Sequence, residues 1–457
     1  MAPLNIPVLL PLAVLAATAV AILALDRTGR QHRLSGWTAL TSLTIAPVLG
    51  LIMITSGQGG MAQSTLYGDG SSTLWTLVLC SVGAVIVMID LGKQAVANSL
   101  HYALILLLAC GALIVIQAAH LIALGIGVAM VYATLIALSG PENAFRPIVL
   151  CGTSLASLLL GSVCLYGVTG TLHVPLIVEQ LGRQNAVTSD LLAILGFDLC
   201  IAGSILIPAA IILNTNADEM PGRTTGAMVC SLVLPLIGVA RLGTWIDLLP
   251  ESRMLLLELI GAAGMAAGYG IALRARRVQN EWLGVAVAEF ARLTLITCLL
   301  PGAPFLFYQA AGSTSAIAGL WALSTLIDDK NSRRSMSPAA GLGRERPYTG
   351  ITFTLCLLSL GGMPPLIGAI NQVWLLRALA ERGQLWIFAL AVFSCLIAWL
   401  WAARWMIRLW LGTPTVASRK PLSPEAGTIL LIVTAGTVLA GWSAGPILSW
   451  IETMLAF

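Results

Sequence analysis

The chain has 457 residues, of which 58% are hydrophobic and 10% charged, with a mean hydropathy of +0.92. Soluble globular domains carry about 25% charged residues, so this composition excludes a soluble enzyme or binding module and places the chain in a bilayer. The net charge of +4 is small and calls for no nucleic-acid partner.

A helix needs roughly 20 apolar residues to cross about 30 Å of hydrocarbon. About fourteen such segments occur, at 5–25, 36–56, 72–91, 99–117, 120–139, 147–169, 190–213, 225–246, 254–273, 282–300, 305–327, 349–378, 385–409 and 426–447. The first has no basic residues before it, and Arg27, Arg30 and Arg33 follow it, so it reads as a span and not a signal peptide. An even number of spans puts both termini on one side. With the N-terminus outside, 18 lysines and arginines fall on the inner side, 5 on the outer side, and Arg292 inside a span. That bias is the positive-inside pattern, and one missed helix would scramble it. Three hydrophilic stretches remain: an outer loop at 170–189, the longest inner loop at 328–348, and a proline-rich inner loop at 412–424.

Within the 349–378 segment, Leu360-Gly361-Gly362-Met363-Pro364-Pro365 sets two glycines and two prolines in an apolar run. Proline removes a backbone donor and clashes with the preceding turn, so Pro364 and Pro365 must break the helix. Broken backbone at membrane depth survives only when buried in protein or lining a wet cavity, and such interruptions mark ion or substrate sites in transporters. Other chemistry is missing from the sequence. The nine cysteines lie in or beside apolar segments without a CxxC pair, the four histidines are scattered, and no glycine-rich nucleotide loop occurs. Any redox cofactor belongs to another chain. Trp399, Trp401, Trp405 and Trp410 crowd the thirteenth segment, where an aromatic belt facing lipid is the ordinary reading.

The run from Arg146-Pro147-Ile148 to Leu165-Tyr166-Gly167-Val168-Thr169-Gly170, together with Phe353-Thr354-Leu355-Cys356-Leu357-Leu358-Ser359-Leu360-Gly361-Gly362-Met363-Pro364-Pro365-Leu366-Ile367-Gly368, resembles the sixth and twelfth spans of subunit N of bacterial proton-pumping NADH:quinone oxidoreductase, respiratory complex I. Leu66-Tyr67-Gly68-Asp69-Gly70 and Gly343-Arg344 are weaker echoes. The resemblance covers most of the chain in span order. It implies an all-α polytopic fold of about fourteen helices, related to Mrp-type antiporter subunits, with two inverted repeats that each hold one broken helix. Pro208 would then break the seventh span as Pro364 and Pro365 break the twelfth. On this reading residues 1–117 form helices 1–4, residues 99–246 the first repeat (helices 4–8), residues 254–409 the second (helices 9–13), and residues 426–457 a C-terminal helix.

The family moves protons along a mid-membrane line of one glutamate and several lysines, and this chain departs from nearly all of them. Ala129 falls at the glutamate position. Arg146, Gly203, Leu232 and Gln372 fall at lysine positions, and Ala210 at a histidine. Arginine does not release its proton, so Arg146 alone keeps a charge but not the chemistry; as a residue near the inner face it also reads as a positive-inside anchor or a partner of Glu142. The remaining ionisable residues are Asp198 in the seventh span, Glu289 with Arg292 in the tenth, Glu258 near the outer end of the ninth and Asp90 at the inner end of the third. Glu289 and Arg292, at i and i+3, share one helix face. Intramembrane charges are costly and by default functional; the plainer reading of Glu289 and Arg292 is a neutralised structural pair, of Asp198 a hydrogen-bonded structural carboxyl, and of His120 a cap at the interface.

The expected function is that of a membrane-arm subunit coupling NADH-to-quinone electron transfer to proton translocation in a bacterial cell membrane. FMN, iron–sulfur clusters and quinone are expected in partner subunits, and none in this chain. Two alternatives stay open: a non-pumping structural subunit of the same complex, and a subunit of an Mrp-type antiporter or membrane-bound hydrogenase.

Overall fold

The computed structural model describes residues 6–26, 32–57, 60–62, 65–92, 99–139, 145–184, 191–203, 224–245, 251–275, 278–300, 304–327, 340–413 and 424–456. Hydrocarbon offers the backbone no hydrogen-bond partners, so each apolar segment satisfies its own amides by coiling into a helix. The helices are α1 (Ile6–Asp26), α2 (His32–Thr55), α3 (Gly70–Gly92), α4 (Ser99–Gln117), α5 (Leu121–Ser139), α6 (Phe145–Thr169), α7 (Val174–Gln184), α8 (Leu191–Ile201) and α9 (Thr224–Trp245). After these come α10 (Glu251–Arg274), α11 (Val278–Leu299), α12 (Pro304–Ile327), α13 (Leu342–Glu345), α14 (Pro347–Leu360), α15 (Ile367–Glu381), α16 (Leu385–Leu411), α17 (Pro424–Trp442) and α18 (Ala444–Leu455). Among the described residues, eight helices are long and apolar enough to cross a membrane alone. The twelfth predicted segment is split into α14 and α15, as its prolines require.

Two features escape a hydropathy reading. The stretch read as a loop at 170–189 contains α7, whose Val174, Ile177 and Leu181 recur at helical spacing and are buried while Glu179 faces out. The last segment is two helices: α17 and α18 meet at a bend of 90°. Beyond the helices, a hairpin pairs β1 (Gly60–Ala62) with β2 (Leu66–Gly68).

Helix α11 is the centre of the molecule, buried from Glu281 through Leu299. It meets α10 through small residues. A Cβ on Gly268 would stand 2.5 Å from Ala288 N, and one on Gly284 would stand 2.8 Å from Ala272 N, so the two backbones touch. Helices α4 and α5 repeat the device: a Cβ on Gly111 would lie 3.0 Å from Val131 N, and one on Gly127 would lie 2.9 Å from Val115 N. Gly111 and Gly268 are 157 residues apart, as are Gly127 and Gly284. The same contact in the same register is an internal duplication written in backbone geometry.

Candidate functional site

The break after α14 is built from residues that tolerate it. Gly362 has φ +76°, and a Cβ there would fall 1.6 Å from Gln372 Oε1. Gly368 opens α15 so close to α14 that a Cβ would overlap the Ser359 carbonyl. Only glycine supplies that φ and that clearance without strain. Of the carbonyls freed by the break, Gly361 O accepts from Trp399 Nε1 at 2.5 Å, and Leu360 O lies 3.2 Å from the Tyr269 hydroxyl.

Against this break lies the polar centre of the molecule. Glu289 and Arg292 are 2% and 1% exposed, and Arg292 Nη1 stands 2.9 Å from Glu289 Oε1. Tyr269 OH donates to the same oxygen at 2.7 Å. Ser313 Oγ and Gln309 Nε2 donate to Glu289 Oε2 at 2.8 and 3.1 Å. A buried ion pair is tolerated only when its spare lone pairs are filled, and here four donors from three helices fill them. Around the pair, Asn371 Nδ2 and Oδ1, Gln309 Oε1, Gln372 Oε1 and Arg292 Nε have no hydrogen-bond partner among the described residues. That mixture of donors and acceptors is unlike a cation site, whose ligands are oxygen acceptors alone.

Two more carboxylate–arginine pairs sit above and below. Glu281, in the first turn of α11 and fully buried, accepts from Arg404 Nη2 and Trp405 Nε1, both at 2.5 Å. It precedes Glu289 by eight residues, about 12 Å along the axis. At the other end of α11, Arg382 donates to Leu299 O at 2.7 Å and to Glu258 Oε1 at 2.9 Å, while Gln384 Nε2 donates to Glu258 Oε2 at 2.6 Å. Between Glu281 and Glu289 stands an aromatic cluster. Trp282 stacks on Trp405 at 5.3 Å and meets Trp401 edge-on at 6.1 Å; Trp401 in turn lies 6.1 Å from Tyr269. Trp401 and Trp405 are fully buried. They are therefore core residues, and the lipid-belt reading holds only for the half-exposed Trp399.

The first repeat offers a different centre. By the 157-residue register, Tyr132 is the counterpart of Glu289 and Gly203 of Leu360. Tyr132 OH lies 2.5 Å from Ser154 Oγ, which donates to Gly203 O at 2.6 Å. Beside them is a small cavity of about 20 Å³, lined by Leu124, Val128, Leu158, Leu234 and Ile237 among others. Arg241 reaches its edge, donating to Val115 O at 2.5 Å and Ala118 O at 2.7 Å. Apart from that tethered guanidinium, no charged side chain among the described residues lines the cavity.

A family model described as NADH:quinone oxidoreductase/Mrp antiporter, TM matches residues 141–398, more than half of the chain. The chain belongs to this family. Its relatives include subunit N of NADH-quinone oxidoreductase from Paenibacillus sp. (strain JDR-2), 26% identical over 98% of this chain and 95% of the relative. The subunit N of Desulforamulus reducens is 21% identical over 91% of each. Among solved structures, a chain of respiratory complex I from Thermus thermophilus aligns with a TM-score of 0.79 at 20% identity, covering 96% of this chain and 98% of that one. A chain of the Mrp complex from Dietzia sp. DQ12-45-1b gives 0.81 at 16% identity, covering 98% and 97%. An archaeal membrane-bound sulfane sulfur reductase chain gives 0.83 at 15% identity, covering 99% and 98%. The fold is thus that of antiporter-like membrane subunits, and the chain is a multi-pass membrane protein.

Set on this family fold, the candidate residues scatter. Glu289 and Arg292 form the centre, and Gln372 borders it through Gly362. Asp198 lies elsewhere, on the outward face of α8, 3.2 Å from Arg253. Arg146 is in the first turn of α6, with its side chain outside the described residues, as is Pro208, which stands 157 residues before Pro365. His120 accepts from Ile122 N at 3.3 Å, in keeping with a cap. The reading of the sequence missed Glu281, Tyr269, Gln309, Asn371 and Arg404. The spacing of Glu281 and Glu289, eight residues along one apolar helix, was the available signal for the first. The uncharged partners carry none. Among the described residues, no group of three or more His, Cys, Asp or Glu is placed to hold a metal.

Proposed function

We propose that this chain is a subunit-N-like member of the membrane arm of a bacterial NADH:quinone oxidoreductase, and that it takes part in proton translocation through its second repeat. NADH oxidation, with FMN, iron–sulfur clusters and quinone, is assigned to partner subunits. The observation that carries the assignment is relatedness to subunit N over nearly the full length of both chains. The buried Glu289–Arg292 pair at a broken helix supports the location of the ion-handling centre. Inside the second repeat, Glu258, Glu289 and Glu281 stand at successive depths along α11, and a proton moving between them would pass the aromatic cluster. In the first repeat the lysine positions hold Gly203 and Leu232, and among the described residues no carboxylate or lysine lines the cavity to relay a proton. The charge bias supports a cell-membrane location with both termini outside.

The fold alone fits an Mrp-type or sulfur-reductase complex equally well, given TM-scores of 0.81 and 0.83. Purification through a tag on this chain in mild detergent, with mass spectrometry of its partners, separates these readings. Flavin- and iron–sulfur-bearing NADH dehydrogenase subunits in the eluate are the expected result. Antiporter or sulfur-reductase subunits, or the chain alone, would overturn the proposal.

A further inference from the structure

Between the two buried carboxylates of α11 lies a layer of rings. Trp282, Phe353, Trp401 and Trp405 are fully buried and come from α11, α14 and α16. Phe353 meets Trp282 edge-on at 5.9 Å and Trp405 at 5.2 Å, and Trp282 stacks on Trp405, so these three rings close on one another. Trp401 extends the layer to Tyr269. On the α10 side Gly268 and Gly284 bring the two backbones into contact, which shuts that wall as well. Glu281 accepts from Arg404 and Trp405, consecutive residues of α16, and so holds the α16 wall against α11. No carboxylate, histidine, lysine or arginine occurs at 282–288 of α11, 270–273 of α10, 396–403 of α16 or anywhere in α14. A proton needs a titratable group or a water to carry it, and water settles only where about two to four polar partners hold it. Trp282 Nε1 is buried with no hydrogen-bond partner among the described residues, a cost that phenylalanine or leucine would avoid. What the position uses is the breadth of the indole.

We propose that this aromatic layer is the proton barrier of the second repeat. It insulates the Glu289 centre from the membrane face at which α11 begins, and so keeps the complex from leaking protons while no NADH is oxidised. The inference rests on the reading of this repeat as a proton-translocating one. The rings are positioning residues: they hold no proton themselves, and they decide whether one passes between Glu281 and Glu289.

The test is passive proton flux through the purified complex in proteoliposomes. A potassium diffusion potential drives the protons, a trapped pH dye reports them, and neither NADH nor quinone is added. Trp282→Ala should raise the flux at least about tenfold, the change that about 1.36 kcal/mol off a barrier produces. Trp282→Phe, which restores a ring, should bring most of the increase back down. Adding Glu289→Gln/Arg292→Gln to Trp282→Ala should abolish the leak, because the opened route leads to that centre. Should Trp282→Ala yield no intact complex, Trp405→Leu carries the same expectation. A wild-type flux through an intact Trp282→Ala or Trp405→Leu complex would overturn the inference. So would a leak that persists without Glu289 and Arg292, since that is a general packing defect. If NADH dehydrogenase subunits co-purify and the flux stays at the wild-type level, the barrier is refuted while the functional reading stands. If no such subunits co-purify, the functional reading has failed and the inference goes with it.

Discussion

Glu289 is both the best-satisfied and the most exposed to failure of the buried groups, because its charge is balanced by Arg292 alone. Glu289→Gln leaves the guanidinium uncompensated in the core and should lower stability by about 3–5 kcal/mol, read as a fall in complex yield and melting temperature. The double variant Glu289→Gln/Arg292→Gln removes both charges and should recover most of that loss. If Glu289 handles protons, the double variant assembles but translocates fewer protons per NADH oxidised. Normal translocation in it would return the pair to a purely structural role. For Glu281, Glu281→Gln keeps an acceptor for Trp405 but takes the carboxylate from Arg404, which still donates to Leu273 O, is about a quarter exposed and reaches solvent more easily. Its stability cost should therefore be smaller than that of Glu289→Gln, on the order of 1–2 kcal/mol.

The element that decides whether these residues meet is the α10–α11 contact. Gly268→Val forces a branched side chain into the Ala288 backbone and should separate the helices, at a cost of about 1–3 kcal/mol. Because Tyr269 is the next residue, the variant should also weaken its bond to Glu289, so translocation falls together with stability. At the broken helix, Gly362→Ala meets both a left-handed backbone and the Gln372 side chain; a loss of at least about 1–2 kcal/mol follows from the backbone alone. These glycines, and not the prolines, set how closely the two half-helices approach. Pro364 and Pro365 are exposed and serve to stop α14.

For the whole molecule, the orientation proposed from charge is checked by thiol labelling. The eight described cysteines are all free and buried, so a membrane-impermeant maleimide should find little background. With both termini outside, Thr171→Cys should label in intact cells and Arg344→Cys only after lysis; the reverse pattern inverts the topology. The spans and the break were readable from hydropathy and Pro364-Pro365, since lipid imposes helix on any long apolar run and proline ends it. The site was readable only where a charge marked it. Glu289 and Arg292 stand out in an apolar helix, but Tyr269, Gln309, Ser313 and Asn371 look like ordinary membrane residues until α10, α12 and α15 bring them together.

By itself the sequence determined the class, the order of the apolar segments, the broken helix and the family, because each follows from local chemistry: apolar length, proline, and motifs in order. The tertiary structure alone decided which charges share a centre and which do not. Asp198 and Glu289 are both acids inside apolar helices; Arg292 three residues on marks Glu289 locally, but nothing local says which way either acid faces. One faces inward among four donors and the other outward beside a single arginine, because glycines at helix contacts fix the rotation of each helix about its axis.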